Sequence, residues 1–300
     1  MSDQVEALLS STRLYCPDDA TPLERKGEAL TCATCGRTFP IHNGELIELL
    51  PKAPTIDPSF SQGYAEGYTE EFNRPFRWDK DAMAWGAPER RAPRWIERRK
   101  RQVRWVQSLL TGPGSAADSS LFCDLSGGAG YYTLEYARSF KQVIHCDLSI
   151  GSMNYVYHKA KAQGINNIVF LRIDYFRTPF HHSLPLMLCC DTLIRGPVHE
   201  RMLLDSIRKS LAPDGMALVD FHNWWHNPIR RMKLLKQNFP SQGSYSKRQL
   251  DTLLRDAGAL EFECFPFFQE FEQSGIVGKI GSKILPATRL AYRIRAGAPE

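Results

Sequence analysis

Apolar and polar positions along the last two thirds of the chain switch repeatedly between helical and strand-like patterns. From Pro93 to Leu110 the apolar residues Trp95, Val103, Val106 and Leu110 follow helical spacing, until TGPGSAADSS (111–120) breaks the helix with Gly, Pro and Ser. LFCDL (121–125) then predicts a short buried strand and YYTLEYARSF (131–140) a helix. QVIHCDLS (142–149) predicts a second strand, followed by a helix to about Gln163 that Gly164 stops. NIVFLRID (167–174) and LPLMLCCD (184–191) predict strands three and four, and the helix HERMLLDSIRKSLA (199–212) ends at a Pro-Asp-Gly turn. MALVDFHN (216–223) predicts strand five. A helix from about Ser246 to Asp256 leads to ALEFECFPFF (259–268), and RLAYRIRA (289–296) predicts the last strand. Near-continuous apolar strands separated by helices predict an α/β fold: a parallel-rich sheet covered on both faces.

The first third is different. Residues 13–50 have the turn chemistry of a compact β-rich unit, whereas 51–92 are rich in proline and aromatic residues with little periodicity. Aromatics argue against disorder, so this stretch predicts a connector packed on the larger domain. The expected division is 1–50, 51–92 and 93–300. A composition of 43% hydrophobic and 24% charged residues is that of a globular chain with a sizeable core. No apolar run reaches the ~18–20 residues of a membrane span. MSDQVEALLSSTRLY lacks a basic segment followed by an apolar one, which predicts a cytoplasmic protein with reduced thiols. Residues 71–105 hold eleven Lys/Arg against five Asp/Glu, more than the whole chain's net charge of +5. Phosphate, an anionic membrane surface or an acidic partner would meet such a block; a solvated helix face accounts for it equally well.

Chemistry concentrates at the predicted strand ends. In FCDLSGGAGYYT (122–133) a strand runs into a glycine loop and a helix, the arrangement that aims backbone N–H groups at a ligand. It fails the dinucleotide pattern, because Thr133 stands at the last glycine position, and it fails the Walker pattern, because no Gly-Lys-Ser/Thr follows. Asp124 ends the first strand and would repel pyrophosphate. Asp147 ends the second strand, near the ~20-residue spacing at which an acid reaches ribose hydroxyls, and Asp174 follows the third. A ligand with an ammonium group, a ribose diol and an adenine, and no phosphate, suits these acids. S-adenosylmethionine (SAM) is such a ligand.

The ordered set DLSGGAGYYT, HCDLS, LRIDYFRTPF and CCDTLIRGPVHERMLLDSIRKSLAPDGMALVDF resembles the motifs of class I SAM-dependent methyltransferases of the methyltransferase-11/25-like group, over roughly residues 93–296. The resemblance implies a Rossmann-like, seven-stranded sheet with helices on both faces. It implies that Asp124 orients the loop or meets the methionine amine, that Ser126, Gly128 and Gly130 form the loop, and that Asp147 with Leu148 takes the ribose. Asp174 with Tyr175 would take the adenine, and Asp191 would border the methyl-transfer face. Ser126 stands where the family usually has the first glycine of the loop. Among the histidines near the carboxyl edge, His199, His222 and His226, His222 is the first choice for a general base if the acceptor must lose a proton. Hydrogen-bonded structural roles suit all three as well.

Cys16-Pro-Asp-Asp19 and Cys32-Ala-Thr-Cys35 form two knuckles, the first with Asp where a second Cys would stand. Two readings stand: a zinc site of Cys16, Asp19, Cys32 and Cys35, or a hairpin that has lost its metal and persists on apolar packing. The unit is similar to the small zinc-ribbon activators of tRNA methyltransferases, fused in cis. The functions in view are therefore methylation of a small-molecule acceptor, methylation of rRNA or tRNA, or a non-catalytic SAM-fold binding protein. SGIVGKIGSKILPATRLAYRIRA (274–296) adds the expectation of peripheral membrane contact. The oligomeric state is open.

Overall fold

The computed structural model describes residues 3–56, 62–111, 120–190, 192, 197–222, 247–258, 261–267 and 289–295. Helix α1 is Gln4–Ser11, capped by the Asp3 carboxylate on the Glu6 N–H. Four short strands follow: β1 Leu23–Arg25, β2 Ala29–Cys32, β3 Thr38–His42 and β4 Leu46–Leu49. Helices α2 (Gln62–Asn73) and α3 (Pro93–Thr111) lead into alternating elements. These are β5 Leu121–Leu125, α4 Tyr131–Tyr136, β6 Gln142–Asp147, α5 Ile150–Ala162, β7 Ile168–Ile173 and β8 Leu184–Cys189. Then come α6 Pro197–Ser210, β9 Leu211–His222, α7 Lys247–Asp256, β10 Glu261–Phe267 and β11 Arg289–Arg295.

The strands form one sheet in the order β1-β2-β3-β4-β7-β6-β5-β8-β9-β11-β10. Strands β7-β6-β5-β8-β9 are parallel, and β11 inserts antiparallel between β9 and β10. This is the predicted α/β sheet, with one difference. The N-terminal strands do not stand apart: β4 pairs parallel with β7, Leu46 opposite Phe170 through Leu49 opposite Ile173. The seven-stranded sheet is thereby extended to eleven among the described residues.

Side chains alternate between two cores. Leu121, Cys123 and Leu125 face one with Ile144, Cys146, Val169 and Leu171, while Phe122 faces the other with Val143, Phe170 and Leu188. Both faces are covered, which is why these strands read as continuous apolar runs. Leu8, Leu30, Phe39, Ile47 and Leu49 belong to the first core, so the N-terminal unit shares its interior with the sheet. Burying side chains of this kind stabilises by about 1.5–3 kcal/mol each. Within β9, position 215 requires glycine, since a Cβ there would lie 2.6 Å from the Leu184 carbonyl oxygen.

Helices α1 and α2 carry no predicted counterpart; α2 falls in the segment read as a connector. No described helix is long and apolar enough to cross a membrane. Of the basic, apolar segment 274–296, residues 289–295 form β11, whose Leu290, Ala291 and Tyr292 are buried in the cores; the rest lies outside the described residues.

Candidate functional site

Strand β5 delivers the chain to the carboxyl edge of the sheet and turns it sharply. Ser126 has φ +63°, the left-handed region in which an L-residue costs roughly 1–2 kcal/mol and glycine costs nothing comparable. The serine thus occupies a true glycine conformation. Gly127 donates to the Cys146 carbonyl at 3.0 Å, and Gly128 donates to Asp147 Oδ2 at 2.7 Å. Gly130, also at positive φ, starts α4.

Asp124 does not face the cavity beside this loop. Its Oδ2 accepts the Thr133 N–H at 3.1 Å and the Thr133 hydroxyl at 2.6 Å, in a buried setting. With its proton given to Asp124, the Thr133 oxygen, 2.8 Å from His145 Nδ1, accepts the N–H there. Burial drives His145 down to about 3, so the ring is neutral. Burial pushes the Asp124 carboxyl up to about 7 despite the two Thr133 bonds, and the nearby Asp147 charge adds to the rise. The folded chain therefore holds this proton to higher pH than the unfolded chain, where a carboxyl titrates near ~3.9. The Asp124 contribution to stability is accordingly full below about pH 4 and lost as pH rises toward 7. Denaturant melts of Asp124→Asn should show a deficit against wild type that shrinks across that window; a constant deficit contradicts the assignment.

A cavity of about 370 Å³ opens at the carboxyl ends of β5, β6, β7 and β8, within the size range of small-ligand sites. Ser126, Gly128, Asp147, Leu148 and Tyr175 of the predicted residues line it; Asp124, Gly130 and Asp174 do not. The Asp147 oxygens accept one backbone bond each, from Gly128 and from Ser149 at 2.9 Å, which leaves a lone pair on each. Burial raises the Asp147 pKa, and those backbone bonds oppose it. Asp174 is fully buried and its carboxylate is committed to the backbone, accepting from Thr55 and Phe176 at 3.0 Å each. Asp191 and His226 lie outside the described residues; the His222 backbone closes β9 at the same sheet edge, but its side chain also lies outside them. His199 sits half-buried in α6, its ring 5.6 Å from that of Phe176, and does not line the cavity.

Sequence reasoning missed the wall that α2 supplies. Tyr68 and Glu71, three residues apart on one helix face, both line the cavity, and Glu71 Oε1 accepts the Ile150 N–H at 2.5 Å. The Tyr-x-x-Glu spacing was visible, but periodicity in 51–92 was too weak to call out a helix. The opposite wall is aromatic and cationic. Arg91 lies over Trp85 at 4.8 Å and Trp95 at 5.2 Å, and Arg99 lies over Trp95 at 4.8 Å and Tyr131 at 5.5 Å. This ladder runs from Trp85, 79% exposed, to Tyr131 inside. Tyr131 donates to the Gly86 carbonyl at 3.0 Å, and burial lifts its phenol to about 12.

The cysteine cluster converges as its spacing suggested. One ligand atom from each of Cys16, Asp19, Cys32 and Cys35 falls within 4.8 Å of the others. The Cys16 and Cys35 sulfurs are 3.7 Å apart, and Cys32 Sγ lies 3.3 Å from Asp19 Oδ2. A tetrahedron built on Zn–S of about 2.3 Å and Zn–O of about 2.1 Å has edges of roughly 3.6–3.8 Å, so the four donors fit zinc. The Thr21 amide holds the Asp19 carboxyl down to about 2, keeping it an anionic ligand. Elemental analysis should find roughly one zinc ion per chain, lost in Cys32→Ser together with thermal stability; clearly substoichiometric metal in freshly purified protein contradicts this.

Two segments match known families. Residues 122–215 match the family described as "Methyltransferase domain", and residues 14–44 match "Trm112p-like protein". The methyltransferase match thus follows the Trm112p-like match along the chain. Among solved structures, a possible exported protein from Bordetella parapertussis superposes with a TM-score of 0.50 at 14% identity, covering 78% of this chain and 79% of that one. Phosphoethanolamine N-methyltransferase 2 of Haemonchus contortus, solved with SAM, has a TM-score of 0.48 at 13% identity. The match covers 66% of this chain and 52% of that one, so this chain corresponds to about half of that enzyme. Geranyl diphosphate C-methyltransferase of Streptomyces coelicolor has a TM-score of 0.48 at 14% identity, covering 65% and 74%. At these identities the likeness concerns the fold. No curated protein sequence matches the chain.

Proposed function

We propose that the chain is a SAM-dependent methyltransferase acting on a small-molecule acceptor, with residues 1–50, 51–92 and 93–300 as metal unit, cavity-covering connector and catalytic domain. The observation that carries this reading is Asp147. Its carboxylate is held by two backbone amides at the cavity edge, with lone pairs left for a ribose diol. Leu148, Tyr68 and Tyr175 give apolar walls for an adenine ring, and the Ser126–Gly128 backbone borders the methionine end. Asp124 supports the loop through Thr133 rather than meeting the amine, and Asp174 fixes the chain around Thr55 and Phe176 rather than reading adenine.

SAM supplies an electrophilic methyl group on its sulfonium. The chain's part is to present an acceptor in line with that methyl and to exclude water, which supplies much of the rate acceleration. Trp85, Trp95, Arg99, Tyr131 and Cys190 form the acceptor side: an apolar, aromatic enclosure bearing a guanidinium, suited to a compact acceptor with an apolar body. Tyr131 and Cys190 hold their protons, their pKa values raised by burial, so neither serves as a base. For an acceptor that must lose a proton, we assign that role to His222 on the strand β9 edge.

A second reading, methylation of RNA, draws on α3. Arg94, Lys100, Arg101 and Arg104 are exposed on the helix that also sends Trp95 and Arg99 into the cavity wall. Incubating the protein with methyl-labelled SAM and either a small-metabolite extract or total RNA separates the two. Label in the metabolite fraction supports the first reading. Label in RNA, with binding that falls steeply with salt, replaces it by the second.

A further inference from the structure

Among the described residues Arg172 is the largest side chain buried below 2% exposure, and it lies in strand β7 at the junction between the N-terminal unit and the cavity. It stands in one row with Glu48 of β4 and Asp147 of β6, its direct neighbours on either side. Its Nη1 pairs with Glu48 Oε2 at 2.7 Å. Its Nε donates to the Leu148 carbonyl at 3.2 Å, and its Nη2 to the Glu71 carbonyl at 2.5 Å. A longer contact, 3.4 Å, reaches the Phe72 carbonyl. The last two carbonyls belong to the final turn of α2, where intrahelical partners run out and a cation is favoured.

These bonds close a ring around the Asp147 turn. Arg172 holds Leu148; two residues on, Ile150 donates to the Glu71 carboxylate; and the Glu71 carbonyl returns to Arg172. Glu71 and Leu148 both line the cavity. The charge of this ring is balanced from outside it. Glu48, itself bonded to His42 at 3.0 Å, is the carboxylate that pairs with the guanidinium.

We propose that Arg172 is a positioning residue that, anchored by Glu48 of the N-terminal unit, fixes Glu71 and the Asp147 turn around the donor end of the cavity, and that this pair sets donor affinity. The inference rests on the donor reading above and adds residues to it. Neutralising Glu48 leaves a buried guanidinium without its counterion, and Arg172 then leaves its carbonyl partners for a more polar setting. Lysine at 172 keeps the charge and loses the fork that serves three partners at once.

The test is calorimetric titration of the full-length, metal-loaded chain with S-adenosylhomocysteine (SAH). Glu48→Gln and Arg172→Lys are expected to bind roughly 3- to 30-fold more weakly than wild type, at unchanged stoichiometry. In a Glu71→Gln background, Glu48→Gln should cost less than about twofold more, because both act through one ring. Loss through misfolding would instead lower the binding-competent fraction and add independently of Glu71. If the single variants do not fold, the pair Glu48→Met/Arg172→Met removes the buried charges together; it should restore a cooperative melt and still bind weakly. Wild-type affinity in folded Glu48→Gln and Arg172→Lys, or in the Met pair, overturns the proposal alone. A wild-type chain that binds no SAH overturns the donor reading and this proposal with it.

Discussion

Replacing Asp147 with alanine is expected to weaken SAH binding by roughly a hundredfold while leaving the fold intact. Two bonds from ligand hydroxyls to one carboxylate are together worth about 3 kcal/mol, and each 1.4 kcal/mol is about tenfold in affinity. The substitution also frees the Gly128 and Ser149 amides, so the glycine loop and the α5 entry lose a shared anchor. The carboxylate is half-buried at the cavity edge rather than in a core, so its removal leaves no internal void. Asp147→Asn separates the contributions: it keeps an acceptor for one amide and loses the charge, so its affinity should fall between the two. Calorimetry checks the series, and unchanged affinity in Asp147→Ala removes this residue from the site.

Gly127→Ala should be strongly damaging. Its Cβ would lie 2.5 Å from His145 Nδ1 and 3.0 Å from Asp124 Oδ2, both buried and both tied to Thr133. Overpacking of this kind costs about 1–3 kcal/mol, and the adjacent Gly128 amide would be displaced from Asp147. Thermal melts should therefore fall by several degrees, with donor affinity falling in parallel. Gly128→Ala provides the contrast. It has open space for its Cβ and a left-handed φ of +53°, so its cost is backbone strain alone, about 1–2 kcal/mol. Adding His145→Ala to Gly127→Ala should recover part of the loss, and strict additivity of the two would contradict the proposed clash.

The parallel strands were legible because each carries a short, largely apolar stretch bounded by turn residues, and burial on both faces is what produces such stretches. The attachment of β4 to β7 was not legible. Leu46–Leu49 reads as a strand in any setting, and nothing local distinguishes a hairpin partner from a distant parallel one. Helix α2 was hidden by weak periodicity, and Glu71 with it. The acids show the limit most clearly. Asp124, Asp147 and Asp174 occupy equivalent places at three strand ends, yet only Asp147 lines the cavity. Whether an acid faces a ligand or a neighbouring amide depends on where Thr133, Thr55 and Phe176 place their donors, and spacing along the chain does not carry that information. Ser126 shows the converse: the residue departs from glycine, and the left-handed backbone it adopts does not.

On the proposed reading, this cavity holds SAM. Titration of the purified 300-residue chain with SAM decides this. A saturable heat with one site per chain and a dissociation constant in the micromolar range, displaced by SAH and sharply reduced in Asp147→Ala, is the expected result. Absence of detectable SAM and SAH binding by folded, metal-loaded protein would contradict it.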